Sequence, residues 1–110
     1  MSTPEIEIAE LAGLGADAVV IDVRQPDEYE DGHVPGARLI PLADIGDRID
    51  EIPTDQPVYV ICQSGGRSLH ASEFLIGAGI DATNVGGGTK AWIESGRDVV
   101  TGSRSRDQDG

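Results

Sequence analysis

The 110-residue sequence predicts an α/β fold, a three-layer sandwich with a central, mainly parallel five-stranded sheet flanked by helices. Two runs carry that expectation: Ala18-Val19-Val20-Ile21-Asp22-Val23 and Val58-Tyr59-Val60-Ile61-Cys62. Each is almost continuously apolar and rich in β-branched residues, as a strand covered on both faces must be. Segments of helical spacing lie between and after them, and strands alternating with helices favour parallel pairing. Each run also ends near a side chain with chemistry, Asp22 or Cys62, at the edge where open α/β sheets gather their ligands.

In chain order, Ile6-Glu7-Ile8 alternates and predicts a short edge strand, and Ala9 to Leu14 predicts a helix stopped by Gly13 and Gly15. After the first long strand, Pro26 suits a first helical position, Asp27 and Glu28 suit its positive end, and Gly32 terminates that helix. His33 to Ala37 reads as loop and Arg38-Leu39-Ile40 as a short strand ended by Pro41. Ile45, Ile49 and Ile52 give Asp44–Ile52 a helical spacing that Pro53 closes. The second long strand runs into Gln63-Ser64-Gly65-Gly66-Arg67-Ser68, a glycine loop that opens a helix. Its expected apolar stripe is Leu69, Phe74, Leu75 and Ala78, and Gly79 is its left-handed stop. Thr83-Asn84-Val85 predicts a further core strand before Gly86-Gly87-Gly88, and Thr89 is placed to cap a short helix through Glu94. The expected organisation is one domain over 1–100 and a disordered polar tail over 101–110.

Composition narrows the function. Twenty acidic against eight basic residues leave a net charge of −12, which repels nucleic acid phosphates and anionic membranes, so neither is an expected partner. Aspartate exceeds glutamate and only one basic residue is lysine, a carboxylate-dense surface of the sort that self-repels in dilute salt. No apolar run approaches the roughly 20 residues that span a bilayer, and Met1-Ser2-Thr3-Pro4-Glu5 lacks the basic and apolar stretches of a signal peptide; a cytoplasmic location is the expectation. A single cysteine rules out an intramolecular disulfide, a Cys-x-x-Cys redox pair and a cysteine-rich zinc site. His33 and His70 are too far apart in sequence to complete a zinc site with it, so no metal is expected.

Cys62 stands at the last position of a buried strand, before a glycine loop and a helix start. A lone cysteine is most often a small buried hydrophobe. Here the following residues argue otherwise, because amides of such a loop point inward and the helix's positive end adds to their field. Both favour the thiolate, so the Cys62 pKa is expected below the free value of about 8.5. Gly65 and Gly66 let the backbone curl around an anion, and Arg67 brings a planar fork of donors suited to an oxyanion such as thiosulfate.

Over roughly residues 5 to 100 the sequence resembles the rhodanese-like family. The resemblance is carried by Ile21-Asp22-Val23-Arg24 with Glu28-Tyr29, by Gly32-His33-Val34-Pro35-Gly36-Ala37, by Cys62-Gln63-Ser64-Gly65-Gly66-Arg67-Ser68, and by Gly86-Gly87-Gly88 with Trp92. It implies that Cys62 is a catalytic nucleophile carrying a persulfide, and that Gln63, Ser64, Gly65, Gly66, Arg67 and Ser68 cradle the outer sulfur and the substrate. It implies a sulfurtransferase that takes sulfane sulfur from a small sulfur-containing anion and gives it to cyanide, a thiol or a protein, with no cofactor. Four residues separate Cys62 from Arg67, as in sulfurtransferases of this fold, whereas the related phosphatases have five.

Other marked residues carry duller expectations. Asp22 needs a buried partner, among Arg24, Arg67 and backbone amides, and with Arg24 serves structure or orients the loop. His33 is expected in a structural loop, His70 exposed, and Ser68 first of all as a helix cap. Arg24 and Glu28 are candidates for an ion pair. The triple glycine is not a phosphate loop, because Lys90 follows Thr89 instead of preceding a hydroxyl residue, and the resemblance makes these glycines and Trp92 structural. The competing activities are a persulfide carrier, a non-catalytic docking module, and a phosphatase or arsenate reductase, the last disfavoured by loop length and the lack of a second cysteine.

Overall fold

A computed structural model describes residues 3–102. Five strands, β1 (Glu5–Glu7), β2 (Val19–Asp22), β3 (Arg38–Leu39), β4 (Val58–Ile61) and β5 (Ala82–Gly86), form one sheet in the order β1-β5-β4-β2-β3. Every pairing is parallel, so the expected mainly parallel sheet is wholly so. The helices are α1 (Ile8–Gly13), α2 (Pro26–Asp31), α3 (Gly66–Gly77) and α4 (Gly88–Glu94).

The period of two along the central strands sorts the core into two layers. Ile21, Val23, Val58, Val60 and Cys62 pack on one face with Ala71 and Leu75 of α3, while Val20, Ile61 and Val85 pack on the other with Leu11, Tyr29 and Trp92. Val58, Val60 and Ile61 are fully buried, and each such side chain stabilises the fold by about 1.5–3 kcal/mol. Cys62 continues the face of Val58 and Val60, so the alternation aims its sulfur toward α3.

Three expectations are corrected. The buried stripe of α3 is Ser68, Ala71, Ser72 and Leu75, whereas Leu69 and Phe74 are exposed. Small side chains at these positions let the helix lie close to the sheet, and the two hydroxyls are satisfied internally. Asp44–Ile52 is not one helix: two 3-10 turns, Leu42–Asp44 and Ile49–Glu51, flank a turn at Gly46. Glycine weakens a segment already near the minimum helical length, yet Ile45 and Ile52 still reach the core. The first strand begins at Glu5, and Ile8 already starts α1 behind a capping box formed by Glu7 and Glu10.

Gly79 does stop α3, in a Schellman motif: its amide donates to the Ile76 carbonyl and that of Ile80 to the Leu75 carbonyl. At the C-terminal end, Val100 and His33 exchange both backbone hydrogen bonds at 2.9 Å, and the Gly102 amide donates to the Glu30 carbonyl. Hydrogen bonding thus reaches two residues past 100, while 103–110 of the expected tail lie outside the described residues. Among the described residues no helix is long and apolar enough to cross a membrane.

Candidate active site

The loop after β4 owes its shape to the start of α4. The Thr89 amide donates to the Cys62 carbonyl at 2.8 Å and the Lys90 amide to the Gln63 carbonyl at 3.0 Å. In a trans peptide the N–H points opposite to the C=O, so drawing the Gln63 carbonyl toward α4 turns the Ser64 N–H the other way, toward the sulfur. This approach requires Gly88, with φ +61°: a Cβ there would lie 2.5 Å from the Cys62 carbonyl oxygen and 2.6 Å from that of Gln63. Gly65, at φ +114°, then reverses the chain into α3.

The Cys62 Sγ lies at the focus of this loop. The Gly65 amide donates to it at 3.1 Å, and the Ser68 Oγ lies 3.3 Å away. The residue is only 1% exposed, and burial pushes the thiol pKa up. Hydrogen bonds from the Ser68 hydroxyl and from the amides of Ser68, Gly65 and Ser64 more than offset that, leaving the pKa below its ordinary value.

Two arginines frame the loop with different partners. Arg24, 2% exposed, grips Asp22 through Nε and a terminal nitrogen at 2.8–3.1 Å, and donates to the Gly32 carbonyl and the Gln63 side chain. Asp22 and Arg24 thereby tie the end of β2 to the first residue of the loop. Arg67 gives both terminal nitrogens to Glu28, at 2.7 and 2.8 Å. The suggested Arg24–Glu28 pair is thus replaced by Arg24–Asp22 and Arg67–Glu28, because β2 and α2 deliver Glu28 to the start of α3 instead. The Arg67 guanidinium holds the Glu28 carboxyl down at about 2 against the opposing effect of burial, helped by the Gln25 amide. A cleft of about 300 Å³ opens beside the loop between Arg24, Glu28, Gln63 and Ile93. A larger hollow of about 530 Å³, from Leu11 to Trp92 under α1, is lined by no titratable side chain and offers no chemistry.

Ser68 is not a cap. Gly65 occupies the cap position, α3 begins at Gly66, and Ser68 falls in the first turn facing the sulfur and Asn84. Thr89 likewise caps nothing with its side chain; Gly87 holds that position, and Thr89 acts through its amide. Ser64 contributes its amide to the sulfur, and Gly66 opens the helix. His33 is fully buried, stacked on Tyr29 with ring centroids 3.5 Å apart, and His70 is exposed on α3. Trp92 packs against α1 and the sheet and donates to the Asp98 carbonyl. Among the described residues no group of three or more His, Cys, Asp or Glu side chains is placed to hold a metal.

Sequence reasoning missed Asn84 and Glu5. The Asn84 Oδ1 meets the Ser68 hydroxyl at 2.5 Å and its Nδ2 donates to Glu5 at 2.9 Å. A signal for Asn84 was available, since an amide within the run Ala82–Val85 must find buried partners. Glu5 gave none, because its contact is made across 79 residues.

Comparison with known proteins identifies the family. The rhodanese-like domain profile matches residues 7–95. An uncharacterized protein of Bacillus subtilis, YqhL, is 47% identical over 76 residues, which are 68% of this chain and 60% of that protein. The thiosulfate sulfurtransferase GlpE of Pseudoalteromonas translucida is 35% identical over 77 residues, 69% of this chain and 73% of that one. A rhodanese-related protein from Thermoplasma volcanium superposes with a TM-score of 0.86 at 33% identity, over 90% of this chain and 99% of that structure. With a profile match over most of its length, the same sheet and a relative named as a sulfurtransferase, the chain belongs to the rhodanese-like family.

Proposed function

We propose that the protein is a sulfurtransferase that moves sulfane sulfur through a Cys62 persulfide. The observation that carries this reading is the convergence of the Gly65, Ser64 and Ser68 amides on a sulfur whose pKa lies below its ordinary value. The Cys62 thiolate attacks the outer sulfur of a donor such as thiosulfate; the donor's S–S bond breaks, sulfite leaves with the electron pair, and a Cys62 S–S bond forms. The charge then rests on the terminal sulfur, where the loop amides act on it as an oxyanion hole acts on oxygen. An acceptor thiolate or cyanide attacks that sulfur and Cys62 departs as the thiolate. The name of the Pseudoalteromonas relative supports thiosulfate as donor.

One observation favours a carrier over a free-standing thiosulfate enzyme. Arg67, the natural partner for a sulfonate, is engaged by Glu28 through both terminal nitrogens, so an anionic donor meets a neutralised pair. A carrier would be loaded by a persulfide on another molecule and would turn over thiosulfate only incidentally.

Intact mass after incubation with thiosulfate tests the proposal. The expected result is a gain of one sulfur that cyanide removes and that Cys62→Ser lacks. Protein left unmodified by thiosulfate but loaded by an organic persulfide supports the carrier; failure with every donor ends the reading.

A further inference from the structure

A hydroxyl has one proton, and at Ser68 three acceptors compete for it. The Ser68 Oγ lies 2.5 Å from the Asn84 Oδ1, 3.2 Å from the Gly65 carbonyl and 3.3 Å from the Cys62 Sγ. The orientation of the Asn84 amide is set from behind. Its Nδ2 faces two groups that only accept, the Glu5 carboxylate at 2.9 Å and the Gly65 carbonyl at 3.4 Å, so its oxygen must face Ser68. The shortest of the three contacts is therefore Ser68 donating to Asn84. Ser68 is fully buried and Asn84 is 2% exposed, so a misplaced proton here leaves a polar atom facing another without relief.

We propose that Asn84 is a positioning residue that, through the Ser68 proton, disfavours the bare Cys62 thiolate relative to the persulfide. The proposal rests on the persulfide reading above. In the thiol, Sγ–H donates to the Ser68 Oγ and the Ser68 proton stays on Asn84, so every group is satisfied. In the bare thiolate the charge sits on Sγ and calls the Ser68 hydroxyl toward it, which leaves the Asn84 oxygen 2.5 Å from an oxygen that no longer donates to it. In the persulfide the charge has moved to the outer sulfur among the loop amides. Sγ is then a poor acceptor and Ser68 again donates to Asn84. Two of the three states are at ease with Asn84 and one is not, so the residue tilts the cysteine toward being loaded.

The test reads the thiol directly, as the pH profile of iodoacetamide alkylation with no sulfur donor present. The charged groups around the site are Arg67 on α3, Asp22 and Arg24 at the end of β2, Glu28 on α2 and Glu5 on β1, and the alanine variants leave all of them in place. Asn84→Ala is expected to move the profile to lower pH, with alkylation at pH 6 faster by roughly fivefold, the worth of one net hydrogen bond. That gain must vanish when Asn84→Ala is made in a Ser68→Ala background, since the effect passes through the hydroxyl. An unmoved profile, or a gain that survives loss of the hydroxyl, overturns the proposal.

Should Asn84→Ala lack a folded circular-dichroism spectrum, Asn84→Val suits the strand, adds no charge and likewise removes the oxygen that holds the Ser68 proton. Its profile must also move to lower pH, and an unchanged or higher one overturns the proposal. In a fixed mixture of a donor that loads wild type in part and its spent form, thiosulfate with sulfite or an organic persulfide with its thiol, intact mass must also show a smaller loaded fraction for Asn84→Ala than for wild type; equal loading overturns the preference for the persulfide. Wild type that fails to load from every donor would end the functional reading instead, while the alkylation profiles would still report on the Ser68 proton.

Discussion

Arg67 and Glu28 form a bidentate pair at the edge of the cleft beside the Cys62 loop, and under the proposed sulfur transfer that pair sets how an anionic donor is received. Replacing Glu28 by Gln removes the competing charge and leaves the guanidinium free to turn toward a sulfonate. Glu28→Gln is therefore expected to raise kcat/KM for thiosulfate by roughly fivefold, equivalent to about 1 kcal/mol, mainly through KM; steady-state kinetics showing a fall would mean that the pair itself positions the donor. The same carboxyl makes stability depend on pH. Its pKa is held at about 2 by Arg67, so the pair's contribution is fully present above the ordinary value of 4.5 and is lost as pH falls toward 2. Urea midpoints of wild type and Glu28→Gln should converge across that interval, by a modest amount because both side chains are about a third exposed. Cys62 and its loop were legible in the sequence because their chemistry is local: a strand end, two glycines and an arginine within six residues. Glu28 as the partner of Arg67 was not, since the two are 39 positions apart and Arg24 offered a nearer cation.

Between elements, the decisive contact is the N-terminal turn of α4 on the carbonyls of Cys62 and Gln63, which fixes the peptide planes that face the sulfur. Gly88→Ala meets two obstacles there, a positive φ and a Cβ 2.5 Å from a backbone oxygen that has nowhere to retreat. We expect a loss of about 2 kcal/mol or more, hence a melting temperature lower by roughly 10 °C, together with a Cys62 thiol that titrates at higher pH as its amides turn away. Gly79→Ala is the comparison: its φ is +90° but nothing lies within 4 Å of the added Cβ, so stability falls and the thiol titration stays where it was. Equal thiol profiles in both variants would show that α4 does not shape the loop. The strands were readable because burial on both faces leaves unbroken apolar runs. The helices were less so: of the stripe that spacing predicts for α3, Leu69, Phe74, Leu75 and Ala78, only Leu75 is buried, and the helix turns Ser68, Ala71 and Ser72 to the sheet beside it, a choice made by close packing and by the site. The segment over 44–52 kept its apolar spacing but not its helix, because Ile45 and Ile52 reach the core from 3-10 turns and a bend.

For the whole molecule, charge sets the terms on which the proposed anionic donor would arrive. A net −12 sits on a body whose radius of gyration is 12.6 Å. The screening length is about 10 Å in 0.1 M salt and about 3 Å in 1 M, so in dilute buffer the repulsion of a dianion is felt well beyond the surface and in concentrated salt it is not. Local attraction does not reverse this, because Arg67 is neutralised by Glu28 and Arg24 by Asp22. Raising KCl from dilute to molar is thus expected to increase kcat/KM for thiosulfate, whereas an enzyme that steers its anionic substrate loses rate as salt is added. The carboxylate surface repels itself by the same field, so the melting temperature should climb over the same range. Glu28→Gln separates the long-range effect from the local one: with Arg67 exposed to the donor, part of the attraction becomes screenable and the rise of kcat/KM with KCl should flatten, while the rise in melting temperature persists. Steeper dependence in that variant than in wild type would show that the pair, and not the overall charge, governs access to the sulfur.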